Sequence, residues 1–208
     1  MSQTERISDE VRILAAMAYG EASSNDVPEE MAALAKVLVR QRDARGYADM
    51  STFVTKDKTF SFVVTDGNPR YRRLMASDAT AIAKNAGMSA AVLSAKEALT
   101  AGANDPSNGA YFWDGADIKS NYKKHFKVKH GVRFSDPAHN IYAIAESTKL
   151  QILTKTVIKK RKGQIISTET TEISRYDHVY VSTAAFGGTI FWKHSADYMK
   201  TSGAKEYK

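Results

Sequence analysis

Apolar residues recur every three to four positions through the first half of this chain, and in short alternating runs through part of the second. The first periodic stretch predicts a helix from Ser8 to about Gly20 or Ala22, with Ser8 as cap and Asp9 and Glu10 favourable in the first turn. A second helix follows Pro28, carrying Met31, Leu34, Ala35 and Leu38 on one face and ending near Gly46. Ser23-Ser24-Asn25-Asp26 reads as its turn and cap. A short helix is expected from Ser51 to Val54, then a loop, then an extended Phe60-Ser61-Phe62. Gly67-Asn68-Pro69 reads as a turn. Alanine-rich helices are predicted over Ser77 to Ala83 and Ser89 to Ala101, parted by Asn85-Ala86-Gly87, with Gly102 as C-cap. After a turn at Asp105 to Gly109, Tyr111-Phe112-Trp113 reads as extended. Thr154 to Lys159 and Gln164 to Thr168 predict a β-hairpin around a basic turn, and Val179-Tyr180-Val181 a further strand. The fold class is α+β, mainly α with a β-rich hairpin in the C-terminal third.

One position breaks the apolar pattern. Val11, Leu14 and Ala18 share a helix face, and the next residue on that face is Glu21. A carboxylate aimed toward a core is costly unless paired or protonated, and it lies in the last helical turn, where the macrodipole disfavours an anion. Both effects raise its pKa, as the general acid of a glycosidase requires. The alternative is a helix-end glutamate that reaches water.

Composition sets the frame. With 208 residues, 43% of them hydrophobic, the chain can bury one well-packed domain. It has no run of apolar residues long enough for a transmembrane helix. Met1 to Asp9 is polar and lacks the apolar centre of a signal peptide. The expectation is a chain that is cytoplasmic, exported by another route, or part of a longer protein. With no cysteine, there is no disulfide, thiolate metal site or cysteine nucleophile. The five histidines (His125, His130, His139, His178, His194) show no compact ligand spacing, so no metal is expected. The net charge of +7 favours anionic polymers as partners. The run Lys119, Lys123, Lys124, Lys127, Lys129, interleaved with Tyr122, His125 and Phe126, suits either a basic solvated face or nucleic acid. No nucleic-acid motif accompanies it, which favours the former.

Four ordered segments carry a resemblance. Tyr19-Gly20-Glu21-Ala22 followed by the apolar helix Met31 to Val39 and Arg40, Phe60-Ser61-Phe62 with Asp66-Gly67, and Asp105-Pro106-Ser107-Asn108-Gly109-Ala110-Tyr111-Phe112 are similar to motifs of the spore-cortex-lytic (SleB-like) cell-wall hydrolases, within the lysozyme and lytic-transglycosylase group. Phe186-Gly187-Gly188-Thr189-Ile190-Phe191-Trp192 resembles that family's closing stretch, with Thr189 where a histidine is often seen. The resemblance covers roughly residues 9–115 and 183–193. It implies a single lysozyme-like domain over residues 1–208, its core at about 9–115 and 183–200, with an insertion at about 116–182. It further implies cleavage of the peptidoglycan glycan strand at the MurNAc–GlcNAc β-1,4 bond, with Glu21 as general acid and no cofactor. The acceptor is water in a lysozyme, or the sugar's own hydroxyl in a lytic transglycosylase. A non-catalytic wall-binding module is the other reading. Activity in a periplasm or cell wall, as a phage lysin or a delivered toxin with a cognate immunity protein, is the expected setting.

The remaining candidates follow. Asp66, Glu30, Asp26 and Asp114 are candidates for a second carboxylate. Glu30 also fits a helix-start charge, and Asp66 and Asp114 each precede a glycine as turn residues do. If Phe60 and Phe62 turn inward, Ser61 faces a cleft. Ser23 and Ser24 stand close to Glu21. Tyr111, Phe112 and Trp113 suit a sugar-stacking wall or core packing, and Tyr19 is placed to steady Glu21. Asp105 and Asn108 read as turn stabilisers.

Overall fold

The computed structural model describes residues 6–208; Met1 to Glu5 of the polar N-terminal stretch lie outside the described residues. Helix α1 (Asp9–Glu21) starts where predicted, with the Ser8 hydroxyl accepting from the Val11 amide at 3.3 Å. It is buried on all sides from Leu14 to Tyr19, so it is the central helix of the core and not a one-faced surface helix. Around it stand α2 (Pro28–Ala44), α3 (Met50–Lys56), α4 (Phe62–Thr65), α5 (Pro69–Ala76), α6 (Ala79–Ala83) and α7 (Ala86–Leu99), with α2, α5 and α7 its main neighbours. The caps explain most of the starts: Asp49, Asn68, Asp78 and Asn85 each accept a backbone N–H of the following helix.

Three local expectations are corrected. Helix α2 is preceded by Val27, which makes no side-chain cap, so the serines ahead of it do other work. Phe60-Ser61-Phe62 is not extended: Ser61 sits at φ −94°, ψ 4° and leads into α4. Asn68-Pro69 opens α5, since the fixed proline φ and the asparagine cap favour a helix start over a plain turn.

Beyond the helices, β1 (Phe112–Asp114) leads to α8 (Asp117–Ser120), α9 (Phe126–His130) and β2 (Val132–Arg133). A long ribbon, β3 (Gln151–Arg161) and β4 (Gln164–Tyr176), precedes β5 (Tyr180–Phe186), β6 (Thr189–His194) and α10 (Ala196–Ser202). The main sheet has the order β1-β6-β5-β2; β1 and β6 are antiparallel, with Trp113 opposite Phe191. The ribbon β3–β4 forms a sheet of its own. The fold is therefore mixed α+β. The expected boundary near residue 182 falls inside β5, so the stretch 116–182 shares a sheet with its flanks. Ala184 and Phe191 of this sheet join the helical core, while Ile190 and Trp192 face a second cluster with Ile118, Val128 and Tyr180.

Candidate functional site

Glu21 ends α1 and lies half-buried at the junction of two adjoining cavities. One, of about 410 Å³, is walled by Phe60, Phe62, Trp113 and Lys127; the other, of about 370 Å³, by Ser23, Tyr142, Gly188 and Thr189. Glu21, Trp113 and Asp117 line both, so the two form one cleft between the helical core and the sheet. The preceding Gly20 lets the walls close: a Cβ there would lie 2.6 Å from Val63 Cγ2 in α4. The side-chain amide of Asn68 donates to the Gly20 carbonyl at 3.0 Å, fixing the end of α1 against α5.

Burial pushes the Glu21 carboxyl up from 4.5 to about 7; the indole N–H of Trp113, donating to Oε2 at 3.3 Å, pulls it down, and the negative charge of Asp66 adds to the rise. The group is thus a proton donor near neutrality. Trp113 also packs on Phe60 and Phe62, with ring centroids 5.6 and 6.5 Å apart. These three rings make an aromatic wall on one side of the acid.

The other candidates are distributed unevenly. Asp66 is exposed and accepts from the Asn68 amide at 2.9 Å; it acts on Glu21 through charge alone. Glu30 is fully buried and accepts from Ser23 Oγ at 2.6 Å, Gly188 N at 3.0 Å and Thr189 Oγ1 at 2.7 Å. It is a pin between α2 and the β5–β6 turn, not a solvated helix-start charge. Ser23 thereby lines the cleft with its hydroxyl committed to Glu30, and the exposed Ser24 does not line it. Asp26 pairs with Arg70 at 2.7 Å. Tyr19 is buried under that arginine, whose guanidinium carbon lies 3.8 Å from the ring centroid, and does not line the cleft. Ser61 is buried beneath the aromatic wall, and Phe62 takes the exposed position expected for it. Tyr111 faces away from the cleft, beside Arg40 at 5.6 Å. Phe112 lines the first cavity and packs its ring on Tyr180 and His194. Asp105 accepts from the Ser107 and Gly109 amides and pairs with Arg40, so it stabilises the turn, while the Asn108 side chain donates to the Thr183 carbonyl and ties the turn to β5 instead.

A polar group in which the sequence marks only Asp114 as a candidate carboxylate borders the cleft. The buried Asp114 accepts from Lys127 Nζ at 2.8 Å, and His125 Nε2 lies 3.3 Å from both Asp114 and Asp117. The bond to Asp114 raises the His125 pKa, against the effect of burial. Asp114, Asp117 and His125 offer ligand atoms within 4.8 Å of one another. The expectation of no metal rested on histidine spacing, which carboxylates from β1 and α8 do not enter. Lys127 supplies a cation to Asp114 through Oδ1 alone, while Asp114 Oδ2 and His125 Nδ1 are buried without a hydrogen-bond partner among the described residues.

Comparison of the chain with known protein families, with curated proteins and with solved structures gives no match.

Proposed function

We propose that this protein cleaves the glycan strand of peptidoglycan, with Glu21 as the general acid of a lysozyme-like core. One observation carries the reading: a half-buried carboxyl with its pKa raised to about 7 stands at the junction of two cavities against an aromatic wall. Glycosidic cleavage needs a protonated acid beside the leaving oxygen, and aromatic faces suit sugar rings. The four sequence segments resembling cell-wall hydrolases agree with it, since Glu21, Phe60, Phe62, Phe112 and Gly188 of those segments line the cleft.

The acceptor divides the reading in two. Of the carboxylates anticipated as partners, Glu30 is saturated by three donors, Asp114 is paired with Lys127, and Asp66 is exposed. Asp117 lines both cavities with Glu21 and is the carboxylate that suits activating a water. A transglycosylase dispenses with that group, because the sugar's own hydroxyl closes the ring.

Digestion of purified peptidoglycan by the wild type, Glu21→Gln and Asp117→Asn, with fragments analysed by mass, tests this. Soluble muropeptides from the wild type and none from Glu21→Gln are expected. Reducing ends together with loss in Asp117→Asn mean hydrolysis, and anhydro ends with activity kept mean transglycosylation. No fragments from the wild type would overturn the reading and leave wall binding as the alternative.

A further inference from the structure

We propose that the tip of the β3–β4 ribbon is an interfacial anchor for anionic lipid bilayers. The base of the ribbon is fixed: Tyr176 packs edge-on against Tyr198 of α10 at 5.2 Å, and the hydroxyls of Ser174 and Thr201 meet. From there β3 runs eleven residues with every one exposed, a reach of about 35 Å at about 3.3 Å per residue. The strands pair with no other strand of the described residues. A lone two-stranded ribbon gains little stability in water, so one this long with aliphatic side chains facing out calls for a surface to cover them.

The tip combines two chemistries. Lys155, Lys159, Lys160, Arg161 and Lys162 are all exposed and form no ion pair among the described residues, and no acid stands between them. Interleaved with them are Val157 and Ile158, and across the turn Ile165 and Ile166, the last two 60% and 61% exposed. Successive strand residues point to opposite faces, so Val157 and Ile158 place aliphatic groups on both sides of the ribbon. The turn itself puts Lys162 at φ 50° and Gly163 at φ 82°, a pair of left-handed positions where asparagine and glycine are usual. Here a lysine stands at that outermost point.

This combination decides the occupant. A protein docking on one face would leave the aliphatic groups of the other in water. A nucleic acid or an acidic glycopolymer would satisfy the cations and give the isoleucines nothing, and residues 152–175 contain no aromatic side chain to stack on a base. A bilayer interface met end-on surrounds both faces, receives the aliphatic groups and neutralises the cations with lipid phosphates. The free backbone groups along both ribbon edges limit entry to the headgroup zone, since hydrocarbon would leave them unpaired.

The test is co-sedimentation of the full chain with vesicles of phosphatidylcholine alone or mixed with phosphatidylglycerol. Binding to the mixed vesicles only is expected. Charge reversal at Lys159, Lys160 and Arg161 together should weaken it by roughly a hundredfold. Ile158→Ser, Ile165→Ser and Ile166→Ser together should weaken it by roughly tenfold, with the salt dependence kept. A tryptophan at the tip (Ile166→Trp) should blue-shift on mixed vesicles. Unchanged thermal melts of the helical body show that the variants fold. Equal binding to both vesicles overturns the proposal. So does full binding by the serine variant, which would mark a plain polyanion patch, as does loss on reversing Lys119, Lys123 and Lys124 instead. Because the readout is lipid binding, it is independent of glycan cleavage.

Discussion

The indole N–H of Trp113 donates to Oε2 of Glu21 at 3.3 Å, joining the acid to the aromatic wall that would hold a sugar beside it. The bond favours the ionised carboxylate and so opposes the rise that burial imposes. Trp113→Phe removes the donor and keeps a ring. Its alkaline limb of activity is expected to move to higher pH, with kcat/KM within about tenfold of the wild type. Trp113→Ala removes the wall and should lose about a hundredfold. A pH–rate profile of both variants on soluble glycan fragments separates the two roles; an unmoved limb in Trp113→Phe would disconnect the indole from the acid.

Glu21 also sets a pH dependence of stability. Its folded pKa of about 7 lies above the 4.5 of the unfolded chain, so the folded state holds the proton more tightly. The associated stability is fully present below about pH 4.5 and is lost as pH rises to about 7, up to about 3 kcal/mol at ~1.4 kcal/mol per unit. Glu21→Gln has no proton to lose. It should melt like the wild type in acid and above it at about pH 8, where the variant becomes the more stable protein. Thermal melts across that range check this, and parallel curves would show Glu21 to be well solvated.

Helix α1 and its acid were legible because the signals are local: the Ser8 cap, the acidic first turn and one glutamate on an apolar face. The wall was half legible. Trp113 lines the cleft, one of its two readings, and so does Phe60, but period-two reasoning over three residues turned both phenylalanines inward and put Ser61 where Phe62 stands, because a helix begins at Phe62. Glu30 was ambiguous because two of its partners, Gly188 and Thr189, lie 158 and 159 residues along the chain. Asp117, His125 and Lys127 come together through short elements with no repeating pattern, and each alone resembles a surface charge. The ribbon was legible in kind but not in length, since its threonine-rich and isoleucine-rich ends alternate weakly.

Arg40 and Tyr111 provide a control away from the cleft. Arg40 donates to the Ala110 carbonyl and to Ser107 Oγ and pairs with Asp105, holding the turn that delivers β1. Tyr111→Phe should leave glycan cleavage unchanged. Arg40→Ala should cost about 2–4 kcal/mol, and Arg40→Lys should recover less than half, because a point ammonium cannot span three acceptors. Chemical denaturation and activity of the three variants give the comparison; loss of activity without loss of stability in Tyr111→Phe would bring that ring into the site.

Glu30 and Gly187 form a coupled pair. A Cβ at Gly187, which holds φ +56°, would overlap the Glu30 carboxylate. Glu30→Ala leaves Ser23 Oγ, Gly188 N and Thr189 Oγ1 without their acceptor and opens a cavity, at about 3–5 kcal/mol. Gly187→Ala alone should cost about 2–3 kcal/mol from the clash and the left-handed φ. In the double variant the new methyl enters the space that the carboxylate leaves. The losses should then fall short of their sum by about 1–2 kcal/mol, a coupling within the range of contacting residues. The φ penalty remains in the double variant, so the Gly187 defect should shrink but not vanish. Urea denaturation of the four proteins in the cycle measures it. Strict additivity would mean that the Gly187 methyl finds room without disturbing the Glu30 carboxylate, so that the left-handed φ alone sets its cost.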